Sequence, residues 1–306
     1  MENKGQVTVG ITTYNHAKYI EKCVHSVLQQ NYPFIEIIIC DDSSTDNTQD
    51  ILLKLKDNYP EKIKLLLKNE NKGVTDTINT ILDNICPESL YFCAIGGDDR
   101  MYKDKIATQV NYLSSNDSCC MCYHDLDVVD LDSSKHLSVH SPRNSTKFKN
   151  NYGNYIDSIR QGCFFHCVSI MFKLKHLKNL RYDFRIPLAS DWLFFTELLA
   201  NSGCTANHIP EILGIYGRTS SSITIKRPNK ISLEIDLLNS CNILLLNFPH
   251  LRKSILNRFS SIILGLRLKD PDNYIHYVHL SFSLKMSTKS LILLIIYYFS
   301  ISKIKR

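Results

Sequence analysis

The chain has 306 residues, 44% of them hydrophobic and 22% charged, with a net charge of +6. That length carries one substantial domain with a small addition, and so modest a charge gives no ground for a nucleic-acid-binding surface. Eleven cysteines without a disulfide-like rhythm, behind a start that lacks a signal peptide's order, favour reduced thiols that pack as small hydrophobes.

Val7 to Ile11 reads as a strand that runs into Thr12-Thr13-Tyr14-Asn15. A helix over 16–30 buries Ile20, Cys23, Val24, Val27 and Leu28, and Asn31-Tyr32-Pro33 stops it. Residues 34–40 form a β-branched strand ending in Asp41-Asp42-Ser43-Ser44-Thr45-Asp46. Thr45 or Asp46 can cap the next helix, which buries Ile51, Leu52 and Leu55. A strand over 63–67, the helical stripe Val74, Ile78, Ile81 and Leu82, and an apolar strand over 90–95 follow. This alternation predicts right-handed βαβ units and a mostly parallel sheet. Further on, the pattern predicts a helix over 103–115 and strands over 119–123 and 127–131. A polar loop over 132–155 able to fold over substrate comes next, then a strand over 164–172, a helix over 191–200 and a strand over 209–216. Cys119, Cys120, Cys122 and His124 fall mostly on a strand, where alternate residues face opposite ways, so they read as core and not as a zinc site.

Gly96-Gly97-Asp98-Asp99 closes the strand over 90–95. Adjacent carboxylates at the end of a buried strand are costly unless a cation neutralises them, and such oxygens suit Mg²⁺ or Mn²⁺ bridging substrate phosphates. The bland alternative is a turn with solvated aspartates. Strand ends bearing Thr12–Asn15, Asp41-Asp42 and Asp98-Asp99 gather at one edge of a parallel sheet, where ligands bind.

The runs Val7-Thr8-Val9-Gly10-Ile11-Thr12-Thr13-Tyr14-Asn15, Cys40-Asp41-Asp42-Ser43-Ser44-Thr45-Asp46-Asn47-Thr48 and Gly96-Gly97-Asp98-Asp99 together resemble inverting glycosyltransferases of family 2. Asn71-Lys72-Gly73 and Ala189-Ser190-Asp191-Trp192 add to the resemblance, which covers residues 5–220 in order and spacing. It implies an α/β fold of GT-A type, a Rossmann-like, mostly parallel sheet flanked by helices. Residues 1–220 would be the nucleotide-sugar-binding catalytic domain, and 221–306 a helical C-terminal region.

By the same resemblance, Thr12, Tyr14 and Asp41 would hold the nucleoside, with Asp42 shaping the turn or capping the next helix. Lys72 would reach a phosphate or the base, or stand solvated. Asp98 and Asp99 would carry a Mn²⁺ or Mg²⁺ ion and the ribose, unranked. Two positions before Asp98 the family often has an acid, and here Gly96 stands there. Asp191, at a helix start, would be the catalytic base, and Trp192 would contact the acceptor or anchor packing. Arg218, in Tyr216-Gly217-Arg218-Thr219, would meet the diphosphate, although the histidine often found just beyond is replaced by Ser and Thr.

From Asn273 onward there is no acidic residue, and a continuous apolar run over 291–299 lies between Lys285, Lys289, Lys303, Lys305 and Arg306. The run is shorter than the roughly 20 residues of a spanning helix. It fits a helix lying against an anionic leaflet, or one docked on the catalytic domain or on a second subunit in a homodimer. The expectation is therefore a cytoplasmic enzyme, peripheral to the inner face of the cell membrane. It would transfer sugar from a nucleotide-diphosphate donor, UDP-linked by preference, to a lipid-linked or free saccharide in surface-polysaccharide synthesis. A nucleotide-sugar-binding scaffold without chemistry is the alternative. A dinucleotide oxidoreductase is disfavoured, because no glycine-rich phosphate turn follows the first strand.

Overall fold

The computed structural model describes residues 4–141, 152–219 and 231–283. The first half alternates as β1 (Gln6–Thr13), α1 (Ile20–Leu28), β2 (Ile35–Asp41), α2 (Thr48–Asn58), β3 (Ile63–Leu67), α3 (Val74–Leu82) and β4 (Ser89–Gly96). Next come β5 (Arg100–Met101), α4 (Lys105–Ser114), β6 (Cys119–Asp130), β7 (Lys135–His140), β8 (Tyr152–Gly153), α5 (Tyr155–Gln161) and β9 (Met171–Lys173). The chain then runs through α6 (Ser190–Ser202), β10 (Thr205–Arg218), α7 (Ser232–Asn247), α8 (Arg252–Lys269) and α9 (Tyr274–Ser283).

One sheet carries the order β3-β2-β1-β4-β9-β6-β10-β5, with β7 beside β6 and β8 beside β10. β3, β2, β1 and β4 are parallel, as are β6 and β10, while β9 runs antiparallel between β4 and β6. Strand alternation divides the core between the two faces. Val7, Val9, Ile11, Ile37 and Ile39 pack against α1, α2 and α4, whereas Ile38, Cys40, Phe92 and Phe172 pack against α3 and α6. Between β6 and β10, His208 Nε2 and Asp125 Oδ1 are 2.7 Å apart and buried, so neither can lose its partner cheaply.

Three expectations are revised. The two strands over 119–123 and 127–131 are one strand, β6, because neighbours on both sides pair its backbone through the turn-like Asp125-Leu126-Asp127. The loop over 132–155 contains β7, which pairs with β6, as well as β8 and the start of α5; residues 142–151 lie outside the described ones. The strand over 164–172 shrinks to Met171–Lys173. Phe164 and Phe165 leave the sheet for an aromatic cluster with Tyr123 and Phe195, where they bury more apolar surface.

The helical C-terminal region shares a core with the sheet domain. Trp192 and Leu193 of α6 and Ile159 of α5 pack with Leu244 of α7 and Ile255, Phe259 and Ile263 of α8. The apolar run over 291–299 lies outside the described residues, and among the described residues no helix is long and apolar enough to cross a membrane. Leu244 is fully buried, so Leu244→Ala should cost about 2–5 kcal/mol. Urea unfolding should show one transition shifted as a whole; a second transition, moved alone, would show that α7 and α8 fold apart from the sheet.

Candidate active site

The ends of β1, β2 and β4 meet through the backbone. Gly97 N–H donates to Thr12 O at 2.9 Å, Asp42 N–H to Thr13 O at 2.9 Å, and Lys68 N–H to Asp41 O at 3.0 Å. Thr12 sits in register with Cys40 on one side and Gly96 on the other. Tyr14 stands at the rim, 40% exposed, outside the core. Asn15, in the left-handed region at φ 55°, turns its Oδ1 onto the Thr45 amide at 2.8 Å and ties the two loops together.

The two aspartates at the end of β2 take separate structural parts. Asp41 is fully buried, and its carboxylate accepts from Ser44 N–H at 2.8 Å and Gln49 Nε2 at 2.8 Å, so it shapes its own turn. Asp42 accepts from the backbone amides of Lys72 (3.0 Å) and Gly73 (2.7 Å) and from the Lys68 ammonium, which also pairs with Asp76 at 2.6 Å. Asp42 therefore holds the loop entering α3. The signal was present in the alternation: Ile37 and Ile39 face α2, so Asp41 follows them, while Ile38 and Cys40 face α3 and Asp42 follows those. Lys72 itself points to solvent and pairs with Glu70 at 2.7 Å. The cation that holds this corner is the half-buried Lys68, which sequence reasoning missed.

The acidic pair after β4 divides its labour. Asp99 is buried, and its carboxylate accepts Gly96 N–H at 3.0 Å and Gly217 N–H at 2.9 Å, linking β4 to the end of β10. Burial first, and Asp98 second, push its carboxyl well above the usual range, against the pull of those amides. Asp98 is half-buried and receives no hydrogen bond among the described residues. A Cβ on Gly96 would lie 2.7 Å from Asp98 Oδ1 and 3.0 Å from Asp99 Oδ2, so a side chain there would displace the carboxylates. Gly217 is a steric necessity, since a Cβ would come within 2.2 Å of the Asp98 carbonyl. Arg218, next in the chain, ends β10 one residue beyond the amide that Asp99 accepts.

Two adjacent carboxylates, one lacking hydrogen-bond donors and the other raised by burial, fit a hard divalent cation. Among the described residues no three His, Cys, Asp or Glu side chains converge as a metal-binding group. Asp98 and Asp99 are the residues that would hold such an ion.

Asp191 lies in the first turn of α6, half-buried, with Oδ1 accepting the Trp192 amide at 2.7 Å. Burial raises its pKa, and the helix-start amides draw it partly back. Cys163 and Cys167 are exposed residues whose thiols are held protonated by the surrounding protein. The Asp191 and Asp99 carboxylates both add to the upward push on the Cys167 thiol. Trp192 turns into the core: only 2% exposed, it donates from Nε1 to the Ser158 carbonyl at 3.1 Å and lies 5.9 Å under the Arg258 guanidinium. It anchors packing and does not face an acceptor.

With this geometry, a comparison with known proteins is decisive. The profile described as Glycosyl transferase family 2 matches residues 8–175, more than half of the chain. The chain belongs to glycosyltransferase family 2. Among relatives, it is 28% identical over 222 residues to TuaG of Bacillus subtilis, named for teichuronic acid biosynthesis, covering 72% of this chain and 82% of that one. It is 37% identical over 109 residues to the Escherichia coli UDP-Glc:α-D-GlcNAc-diphosphoundecaprenol β-1,3-glucosyltransferase WfaP, covering 36% and 41%. Among solved structures, the Pyrobaculum calidifontis mannosyltransferase PcManGT, in complex with GDP-Man and Mn²⁺, superposes with a TM-score of 0.63 at 18% identity, covering 97% of this chain and 81% of that one. This glycosyltransferase thus has the expected GT-A-type α/β architecture. Gly217→Ala should force β10 away from the Asp98 carbonyl and cost about 1–3 kcal/mol; an unchanged urea midpoint would show that the close approach is not needed.

Proposed function

We propose that the protein is a metal-dependent, inverting glycosyltransferase that moves a sugar from a nucleotide-diphosphate donor to a hydroxyl of a lipid-linked saccharide during surface-polysaccharide assembly. The observation that carries this is the adjacent pair Asp98–Asp99 at the end of β4, one carboxylate tied to Gly217 N–H and the other without a donor among the described residues, in a chain of glycosyltransferase family 2. In this reading Thr12 and Tyr14 hold the nucleoside beside the turn that Asp41 builds. Arg218 meets the diphosphate with its planar fork of donors. Asp98 would hold a Mn²⁺ or Mg²⁺ ion, with Asp99 fixing the loop and lending charge from behind. When bound, the ion supplies charge neutralisation for the leaving diphosphate.

Asp191 takes the proton of the acceptor hydroxyl as its oxygen forms a bond to the anomeric carbon, and the bond to the diphosphate breaks on the opposite face. Displacement from that face inverts the configuration. Support for the acceptor class comes from WfaP, named for a diphosphoundecaprenol-linked substrate, and TuaG, named for a surface polymer. The basic, apolar segment over 285–306 would hold the site at the cytoplasmic face of the membrane, where such acceptors sit. UDP-sugars are the preferred donors in this reading.

One of a panel of UDP- and GDP-sugars should raise the melting temperature in the presence of Mn²⁺, with EDTA reversing the effect. Asp191→Asn should keep that shift while slowing release of nucleoside diphosphate by about 10²–10⁴-fold. Only ionised Asp191 accepts a proton, so the wild-type rate should climb with pH through its raised pKa, placing the acid limb above about pH 4. A flat thermal panel, or an Asp191→Asn variant as fast as wild type, would contradict the proposal.

A further inference from the structure

A basic cavity lies beside the start of α1, outside the constellation of strand ends described above. Its volume is about 370 Å³, within the range of small-ligand sites, roughly 300–1,000 Å³. Three elements build it: the turn that enters α1 brings Lys18 and Lys22, β5 brings Arg100, and the tip between β6 and β7 closes the far side. Three cations thus face one space, and Asp132 is the single acid among the described residues that line it. That acid is already engaged, because its Oδ1 accepts the Tyr19 hydroxyl at 3.1 Å.

None of the three cations is spent on the fold. Among the described residues, the side chains of Lys18, Lys22 and Arg100 have no hydrogen bond and no ion pair. The lysines are exposed and four positions apart, so they stand side by side while Ile20, Cys23 and Val24 take the buried face of α1. Exposed lysines alone would be a solvated face. Arg100 is different. It is half-buried, its backbone is fixed opposite Ile215 of β10, and neither Asp98 nor Asp99 pairs with it although both precede it directly. Its guanidinium therefore meets the cavity with its donors unused, and partly burying such a group without an acceptor costs free energy that a bound anion offsets.

Leu131, another lining residue, connects the cavity to the acidic loop. A Cβ on Gly217 would lie 2.2 Å from the Asp98 carbonyl and 2.6 Å from Leu131 Cδ1, so these two atoms flank one point. The cavity is still not the place of the donor's diphosphate in the proposed function, because Asp98, Asp99 and Arg218 do not line it. We propose that it is a second phosphate site, in which Arg100 grips a phosphate group with its planar fork and Lys18 and Lys22 neutralise the charge. Two sources carry this chemistry: the diphosphate that joins a saccharide to a lipid, and the headgroup phosphate of an anionic lipid. Either would seat a lipid-borne phosphate beside the loop that carries Asp98.

Isothermal titration calorimetry with inorganic pyrophosphate tests the site in the full-length protein, in EDTA so that no ion bridges the probe to Asp98. Wild type should bind, with an affinity that falls as salt is added. Kd should rise about tenfold or more in Arg100→Gln and in the double variant Lys18→Gln, Lys22→Gln, the loss expected for charge-assisted hydrogen bonds. It should stay unchanged in Arg218→Gln. The double variant alters only exposed side chains and should keep the wild-type melting temperature, which separates a lost site from a lost fold. Displacement of pyrophosphate by GlcNAc diphosphate bearing a long alkyl chain would assign the site to the acceptor. Displacement by phosphatidylglycerol vesicles, and not by that acceptor, would assign it to a headgroup. A wild type that does not bind pyrophosphate, wild-type affinity in the double variant, a loss confined to Arg218→Gln, or displacement by neither ligand would overturn the inference and leave the proposed sugar transfer standing.

Discussion

The site depends on a single carboxylate shared between two strand ends. Asp99 accepts one amide from Gly96 on β4 and another from Gly217 on β10, strands separated in the sheet by β9 and β6. A charged group buried so completely is tolerable only with such partners or with a cation close by. The contact also dictates which residues surround it: Gly217 is needed because the backbones approach closer than a side chain permits, and a side chain on Gly96 would displace the carboxylates. The places of Asp98 and of the end of β10 follow from that closure.

Asp191 is placed by different means: it stands on α6, and α6 is held by Trp192 within the apolar layer that α5, α7 and α8 complete. Asp191, the proposed base, is thus positioned by hydrophobic packing and the acidic pair by hydrogen bonds within the sheet. The C-terminal helices support the start of α6 in this physical sense. Tyr182 ties α3 to α6, with its backbone on the first and its ring on the second.

What could be read from the sequence was whatever periodicity and strand ends expose. The alternation of β1 to β4, the acidic ends of β2 and β4, and an aspartate at the start of α6 all follow from local pattern. Hidden from it were choices between neighbours of identical type. Asp41 and Asp42 differ only in the face toward which the strand turns them, and Asp98 and Asp99 only in which one meets Gly217, some 118 residues away. Lys72 lies within the recognised motif yet points to solvent, while Lys68, outside it, is the half-buried partner of Asp42 and Asp76. Trp192 was ambiguous because an aromatic next to a base can serve packing or substrate, and only the Ser158 carbonyl decides. The antiparallel insertion of β9 depends on long-range pairing that no local signal records.

The division of labour between the acidic neighbours can be measured directly. Mn²⁺ binding followed by electron paramagnetic resonance, in the presence of a nucleoside diphosphate, should vanish in Asp98→Asn with the unfolding midpoint unchanged. In Asp99→Asn it should weaken together with a lowered midpoint, as the tie to Gly217 is lost. Full Mn²⁺ affinity in Asp98→Asn would contradict the account at its centre.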